Sequence, residues 1–207
     1  MSEDRKSFYN EPYRDAEEDV FGGGKPIDIV QQVPALISGR EALDVGCGMG
    51  RHSIYLAQEG FRVTALDFSE EGVRKLLERS AHEKLPIAAS AVDIETWMPN
   101  AYFDAIVVSY VFHQITKTSL EALLPALQKH TKPGGIHAIA AFTKEGAFFR
   151  KNSSMDTWYT KPGEIKLLYR DWEIISYEEQ EGASYKKGPD GEPFMNTTAF
   201  LLARKPR

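Results

Sequence analysis

The sequence is poor in three features that would each indicate a particular class of protein. Only one of its 207 residues is cysteine, Cys47, so the chain can form no internal disulfide and lacks the usual ligands of a structural zinc site. No stretch approaches the roughly 20 apolar residues that cross a bilayer, and residues 1–12 are polar, without a signal-peptide core. Positive charge is not in excess, since the formal net charge is −5. We therefore expect a cytoplasmic protein without a metal, nucleic-acid or membrane partner.

The order of apolar runs and helical patterns indicates a single α/β domain. Five short apolar runs predict successive strands at residues 41–45, 61–66, 87–92, 103–109 and 136–142. Glycine stops, a cap at Ser69 and leucines at helical spacing predict the helices between them. The helix after Ser69 is expected to bury the face formed by Val73, Leu76, Leu77 and Ala81. Such alternation predicts a parallel sheet covered by helices on both faces.

The last third of the chain has a different character. A polar and aromatic stretch at 143–160 precedes a predicted helix at 162–169, and two predicted strands follow at 172–177 and 198–203. The loop between these two strands is rich in Gly, Lys and Pro. Because no helical pattern separates the strands, we expect an antiparallel hairpin at the end of the sheet.

A glycine-rich turn and three aspartates follow the predicted strands at places where a ligand would bind. Gly46 and Gly48 let the backbone pass close to a ligand, and the helix that follows offers free N–H groups to an anion. Asp44 lies just before the turn, where a carboxylate can attract the ammonium group of an amino acid. Asp67 ends the second strand, where an acid accepts hydrogen bonds from ribose hydroxyls, and Asp93 ends the third, near an adenine amino group.

A nicotinamide dinucleotide site is the alternative interpretation of the same turn. Its fingerprint is G-x-G-x-x-G, and this chain has Arg51 where the third glycine would stand, because Gly50 comes one residue early. Asp44 would also place negative charge near a pyrophosphate. A ligand that carries an ammonium and a sulfonium suits Asp44 better, and the pattern therefore favours S-adenosylmethionine over a dinucleotide.

These motifs resemble those of class I S-adenosylmethionine-dependent methyltransferases. Residues 43–51 (LDVGCGMGR), the aspartates and the 132–135 turn (KPGG) carry the resemblance. Residues 50–56 (GRHSIYL), 131–135 (TKPGG), the segment 163–172 and the terminal 202–205 (LARK) are similar to the tellurite-resistance methyltransferases of the TehB family. The resemblance implies a doubly wound, Rossmann-like fold with a mostly parallel seven-stranded sheet, helices on both faces and an antiparallel C-terminal strand. It also implies a monomer or weak homodimer that methylates a small acceptor, such as tellurite or selenite.

The resemblance and the motifs together divide the domain and assign its residues. Residues 1–35 are expected to form an N-terminal lid or helical segment, 36–142 the cofactor-binding core, and 143–207 the acceptor-side region with the C-terminal hairpin. The residues expected to bind S-adenosylmethionine are Asp44, Gly46, Cys47, Gly48, Arg51, Asp67, Phe68, Asp93, Ile94, Ser109, Tyr9 and Tyr13. The tyrosines could close over the cofactor or could only tether the N-terminal segment to the surface.

Four residues are candidates for the acceptor side. His113 follows the fourth strand and could act as a base or hydrogen-bond donor, or could be structural. Arg51 could bind the cofactor carboxylate, orient an anionic acceptor or remain solvated. Tyr185 and Lys186 stand in the predicted hairpin loop where the family leads us to expect a His-Arg pair. The positive charge is retained without the imidazole, so another small metabolite, such as a thiol, a carboxylate or a heteroaromatic compound, is an alternative acceptor. A protein that binds S-adenosylmethionine without turnover is a separate alternative.

Overall fold

The computed structural model describes residues 10, 11, 13, 14, 16, 24–153, 156–188 and 190–207, with backbone alone at positions 185 and 186. Within them the strands are β1 (Glu41–Val45), β2 (Arg62–Asp67), β3 (Ile87–Ala91), β4 (Phe103–Ser109), β5 (Thr131–Gly146), β6 (Glu173–Lys187) and β7 (Pro193–Arg204). The helices are α1 (Asp28–Gln31), α2 (Val33–Leu36), α3 (Arg51–Gln58), α4 (Glu70–Glu83), α5 (Lys117–Lys129), α6 (Ala147–Asn152) and α7 (Glu164–Leu168), with a 3-10 turn at Phe112–Gln114.

The seven strands form one mixed sheet in the order β3-β2-β1-β4-β5-β7-β6. The pairs from β3 to β5 are parallel, and β7 is antiparallel to both β5 and β6. Strand order reverses between β1 and β4, which is where a doubly wound sheet opens a crevice beyond its carboxyl ends. The predicted fold class is confirmed, including the antiparallel C-terminal strand.

Two apolar layers cover the sheet, one on each face. On one face α1, α3 and α4 contribute buried residues to a cluster that includes Ala42 and Val107 of the sheet. On the other face α5 and α7 pack against Leu43, Ile106 and Ile139. Neighbouring strand residues point to opposite faces, so the runs in β1 and β4 are apolar almost throughout, as expected of strands buried on both sides.

The structure corrects the predicted surface of α4. Ser69 caps this helix, because its hydroxyl accepts a hydrogen bond from the Gly72 N–H at 3.1 Å. Val73 and Leu76 are buried as predicted, but Leu77 is 40% exposed and Ala81 is also exposed. The predicted buried face was therefore too wide. The helix lies over the edge of the sheet, where a single narrow apolar stripe on the helix is enough to cover the strands.

The C-terminal hairpin forms as predicted, but its strands are longer than the apolar runs indicate. β6 extends to Lys187, and Tyr185 and Lys186 therefore belong to a strand rather than to the loop in which they were predicted. Backbone pairing between β6 and β7 continues to Lys187 and Pro193 across a register shift. Backbone hydrogen bonds extend the hairpin beyond the last apolar residues of its strands, and a hydrophobicity pattern does not predict this additional pairing.

A buried polar cluster ties α7 to the sheet near the start of β5. The imidazole of His137 forms hydrogen bonds of 2.6 Å with the Tyr169 hydroxyl and of 2.6 Å with the Thr131 hydroxyl. Burial lowers the pKa of His137 to about 3, so the ring is neutral at physiological pH.

In the described part of the chain, no helix is long and apolar enough to span a bilayer.

Candidate cofactor and acceptor site

The three predicted aspartates lie at one edge of the sheet. Asp44 is next to the end of β1, Asp67 ends β2, and Asp93 follows β3 by two residues. Because β1, β2 and β3 are parallel and adjacent, their carboxyl ends meet at the same edge. Ser109 ends β4, on the other side of β1. The structure thus brings together residues that are up to 65 positions apart in the sequence.

Asp44 is a fully buried carboxylate with incomplete hydrogen bonding. Its Oδ2 accepts a hydrogen bond of 2.6 Å from the Ser53 hydroxyl at the start of α3. Its Oδ1 is buried and accepts no hydrogen bond from any described residue. Burial raises the pKa of Asp44 to about 6, although Ser53 and the positive charge of Arg51 oppose the shift. A buried acceptor without a donor is costly, and a ligand ammonium group would satisfy it.

Asp67 has a structural role that the sequence did not reveal. Its Oδ2 accepts a hydrogen bond of 2.7 Å from the Gly48 N–H, and its Oδ1 accepts one of 2.8 Å from the Ser69 N–H. The N–H groups of Gly46 and Cys47 donate to the carbonyl of Leu66, one residue earlier in β2. The end of β2 therefore holds the glycine turn in place. The same carboxylate is the group that the sequence assigns to the ribose hydroxyls.

The turn leads into α3 through a conformation that requires glycine. Gly50 precedes the helix with φ of +88°, and a Cβ there would lie 2.2 Å from the Leu76 Cδ1 atom. Gly50 has no side chain to cap α3, so the first N–H groups of this eight-residue helix lack an intrahelical acceptor, and the Ser53 N–H instead interacts with the Asp44 carboxylate. Cys47 is buried within the turn and packs in the core beneath it, as a small side chain does. The backbone of the turn is thus available to a carboxylate or to adenosine.

The third aspartate begins a short turn that borders the crevice. The Asp93 Oδ1 atom accepts a hydrogen bond of 3.0 Å from the Glu95 N–H. The Ile94 side chain is buried in the core, and Phe68 is half-buried at the end of β2. Ser109 is buried, and its Oγ forms no hydrogen bond with the described residues. Phe68, Asp93 and Ile94 therefore follow the ends of β2 and β3, where the sequence predicts adenine, whereas Ser109 lies across β1 at the end of β4.

The N-terminal segment packs directly on the glycine turn. Tyr13 is buried, and a Cβ at position 48 would lie 2.7 Å from its hydroxyl oxygen. Asn10 anchors the segment to α4, because its side-chain oxygen accepts hydrogen bonds from the Ser69 hydroxyl at 2.6 Å and the Glu71 N–H at 3.3 Å. Tyr9, the second predicted tyrosine, lies outside the described residues. Gly48 thus leaves space that a tyrosine occupies.

His113 lies among aromatic rings beyond β4 and β5. Its ring centroid is 4.9 Å from that of Phe142 and 5.7 Å from that of Tyr159, and it hydrogen-bonds the Gln114 side chain. Tyr110, the first residue after β4, has φ of +58°, and its ring lies tilted against that of Phe142 with centroids 4.9 Å apart. The sequence indicated an aromatic stretch at 143–160 but not the contact between Tyr110 and Phe142, because that contact joins residues of separate strands.

Two further acceptor candidates, Tyr185 and Lys186, stand near the end of β6. Their backbone lies in β6, which is one of the two edge strands of the sheet. Their side chains lie outside the described part of the structure. Arg51 is half-buried at the first position of α3 and acts on the Asp44 carboxylate through its charge. The structure therefore brings His113 and Arg51 to the carboxyl edge of the sheet, and the backbone of Tyr185 and Lys186 ends β6 at the same edge, because β6 runs in the direction of β5.

Comparison with known proteins agrees with this geometry. The family model described as "Tellurite resistance protein TehB" matches residues 23–200. "Hemagglutinin 1" of Eikenella corrodens is 31% identical over 167 residues, which are 80% of this chain and 55% of that protein. "Probable S-adenosyl-L-methionine-dependent methyltransferase TehB" of Haemophilus influenzae is 31% identical over 177 residues, 82% of this chain and 59% of that protein. The chain thus spans less than two thirds of the length of these relatives.

Solved structures show the same architecture. The crystal structure of TehB from Haemophilus influenzae superposes with a TM-score of 0.78 at 26% identity, covering 97% of this chain and 67% of that one. The N-methyltransferase NodS of Bradyrhizobium japonicum, in complex with S-adenosylhomocysteine, shares the fold with a TM-score of 0.70 at 18% identity, covering 99% and 96%. The sheet order, the glycine turn and the family match agree, and the chain belongs to the TehB family.

Proposed function

We propose that this protein is an S-adenosylmethionine-dependent methyltransferase that acts on a small, soft anionic acceptor of the tellurite or selenite kind. The observation that carries the proposal is the buried Asp44 carboxylate, whose Oδ1 accepts no hydrogen bond from the described residues. An ammonium group beside this atom would satisfy it. The name of the Haemophilus influenzae relative and the family description support the same activity and acceptor class.

The chain's own groups suit each part of the cofactor. Asp44 would hold the ammonium, and the N–H groups at the start of α3, with Arg51, would hold the carboxylate. Asp67 would accept hydrogen bonds from the ribose. Phe68, Asp93 and Ile94 would border the adenine. The rest of the cofactor would contact Ser109, Gly46, Cys47 and Gly48. When bound, S-adenosylmethionine supplies an electrophilic methyl group on a sulfonium. The protein would accelerate the transfer by aligning the acceptor with that methyl group.

The acceptor side favours a nucleophile that needs little proton removal. His113 is the one histidine that the described structure places among the rings at this edge, and we assign it to orient or deprotonate the acceptor. A soft anion requires no base, so an acid–base pair is unnecessary. We further propose that the protein works in the cytoplasm as a monomer or weak dimer on small molecules, with residues 36–142 as the cofactor-binding core.

Calorimetric titration with S-adenosylhomocysteine tests the cofactor assignment. We expect micromolar affinity, because a charged ammonium contact and two ribose hydrogen bonds each contribute roughly 1.5–3 kcal/mol. Incubation with labelled S-adenosylmethionine and a panel of selenite, tellurite, thiols and carboxylates should then form S-adenosylhomocysteine. Tight binding with no turnover across the panel would instead indicate a binding protein, and thermal protection by NAD alone would contradict the proposal.

Tyr13 tests whether the N-terminal segment covers the cofactor. We expect Tyr13→Ala to weaken S-adenosylhomocysteine binding by about 10-fold, because the ring packs on the glycine turn at Gly48. Tyr13→Phe should retain most of the affinity. If the segment is only a tether, Tyr13→Ala will lower the melting temperature and leave the calorimetric affinity unchanged.

A further inference from the structure

Three residues near the carboxyl ends of β1 and β4 carry a buried polar atom that forms no hydrogen bond with the described residues. These atoms are the Asp44 Oδ1, the His52 Nε2 and the Ser109 Oγ, and each of the three residues is more than nine-tenths buried. A buried polar atom in this condition is costly, and native proteins rarely keep one that neither a ligand nor a water satisfies. The sequence motifs assign no role to His52.

Asp44 and Ser109 project from the same face of the sheet. The apolar layer on the side of α1, α3 and α4 includes Ala42 of β1 and Val107 of β4. Asp44 and Ser109 each follow two residues later, and alternation along a strand therefore turns them to that face. Asp44 pairs with Val107 across the parallel strands. Strand spacing and rise then place the Cα atoms of Asp44 and Ser109 about 8 Å apart, a distance that two side chains and one ammonium group can span.

His52 approaches the same region from the first turn of α3. The hydroxyl of Ser53, the next residue, donates to the Asp44 Oδ2 at 2.6 Å, so this turn lies over β1. Tyr55 is three residues after His52 and therefore on the same side of the helix, and its hydroxyl donates to the Gln31 carbonyl of α1 at 3.0 Å. Because α3 contacts β1 and β2 while α1 contacts β5 and β7, this side of α3 is turned toward β4, which lies between β1 and β5. His52 is thus directed toward the carboxyl end of β4.

The charges and donors at this place match the amino-acid end of a ligand. Burial and the positive charge of Arg51 lower the pKa of His52, so its ring is neutral and has one N–H donor and one acceptor nitrogen. The Asp44 carboxylate accepts hydrogen bonds, and the Ser109 hydroxyl can accept one beside it. The first N–H groups of α3, next to His52, attract a carboxylate. Acceptors for an ammonium group therefore lie beside donors for a carboxylate.

We infer that His52 and Ser109 bind the two charged groups at the amino-acid end of S-adenosylmethionine. The His52 Nε2–H donates to the carboxylate, and the Ser109 hydroxyl accepts, together with the Asp44 Oδ1, from the ammonium group. This inference rests on the proposed methyltransferase function and specifies how its cofactor site recognises a zwitterion. It makes His52 a cofactor-binding residue that the glycine motif does not reveal, and it gives Ser109 a defined partner.

Calorimetric titration with three ligands separates the two contacts. S-adenosylhomocysteine carries both charged groups, its decarboxylated form keeps only the ammonium, and its deaminated form keeps only the carboxylate. We expect His52→Leu to weaken binding of S-adenosylhomocysteine and of the deaminated form about 10-fold, with less than about 2-fold change for the decarboxylated form. Ser109→Ala should show the reverse pattern, with about 5-fold losses for S-adenosylhomocysteine and the decarboxylated form.

The stability of the ligand-free protein distinguishes a binding residue from a structural one. His52→Leu removes a buried polar atom that has no described partner, so the urea midpoint should rise while the affinity falls. A structural histidine would instead lose stability on substitution and leave the affinity unchanged, which would overturn the inference. His52→Gln keeps an N–H donor near the Nε2 position, and it should bind S-adenosylhomocysteine within about 3-fold of the wild-type affinity.

Tyr55→Phe is the matched control on the same side of α3. It removes the hydroxyl that bonds the Gln31 carbonyl, one turn further along the helix, so it should lower stability and leave all three affinities unchanged. Equal losses for the three ligands in His52→Leu, or wild-type affinities in both His52→Leu and Ser109→Ala, overturn the inference and leave the methyltransferase proposal standing. Failure of the wild-type protein to bind S-adenosylhomocysteine overturns both.

Discussion

Asp44→Asn is expected to weaken S-adenosylhomocysteine binding about 100-fold and at the same time to stabilise the ligand-free protein. The affinity falls because a charge-assisted contact with the ammonium is lost, which is worth roughly 1.5–3 kcal/mol. The stability rises because the folded protein no longer holds a buried carboxylate with an Oδ1 that accepts no hydrogen bond from described residues. Calorimetric titration measures the first effect, and urea unfolding at pH 8 measures the second.

The pH dependence of stability gives the sign and size of the second effect. The pKa of Asp44 is about 6 in the folded protein, above the ordinary value of 3.8, because of burial. The folded state therefore binds this proton more tightly than the unfolded chain. Through this group, stability is greatest below pH 3.8, and about 3 kcal/mol of it is lost as the pH rises through 6. Asp44→Asn should remove this slope and raise the free energy of unfolding at pH 8 by about 1–3 kcal/mol.

The affinity for S-adenosylhomocysteine should instead increase as the pH rises toward 6. Below pH 6 the ligand-free Asp44 is protonated, so the wild-type affinity for S-adenosylhomocysteine should fall by up to about 10-fold per pH unit. A matched control is Asp104→Asn at the other end of the sheet, where Asp104 binds the Lys132 ammonium at 2.8 Å and the Glu41 N–H at 3.0 Å. That variant should lose stability and keep its affinity. Wild-type affinity in Asp44→Asn would contradict the assignment of the ammonium site.

Asp67→Ala is expected to weaken cofactor binding by about 100-fold or more. Two effects combine, because the variant loses the acceptor for the ribose hydroxyls and also the carboxylate that holds the Gly48 N–H at 2.7 Å. Asp67→Asn retains one oxygen and should show an intermediate loss. The affinity of each variant for S-adenosylhomocysteine can be compared with its affinity for adenosine, which shares the ribose but lacks the amino acid.

The control for Asp67 is the neighbouring cap. Ser69→Ala removes the hydroxyl that caps α4 but leaves the Asp67 carboxylate, so it should lower stability by about 1 kcal/mol and change the affinity less than about 3-fold. In Asp67→Ala, by contrast, the affinities for S-adenosylhomocysteine and for adenosine should fall by the same factor. If adenosine binding is unaffected while S-adenosylhomocysteine binding falls, Asp67 is not the ribose acceptor and acts only on the turn.

The sheet and its helices could be predicted because their signals are local. Five apolar runs, the glycine stops and the Ser69 cap are each contained in a few residues, and the structure places an element at every one of them. The ends of β5 and β6 could not be predicted in this way, because β5 starts at Thr131 and β6 runs to Lys187 through pairing with distant strands. The exposure of Leu77 likewise depends on what lies opposite the helix and not on its own spacing.

At the candidate site, the sequence by itself determined which residue types stand at the carboxyl ends of the strands. A few residues of sequence are enough to show that a strand ends in an acid or a glycine. Parallel pairing of the strands then brings these ends to one edge of the sheet. Only the tertiary structure decided what each group does there. It buries Asp44 with an oxygen that no described donor reaches, ties Asp67 to the glycine turn, and joins Tyr110, His113 and Phe142 into one aromatic surface. Burial and side-chain contact depend on strands far apart in the chain, and no short stretch of sequence encodes them.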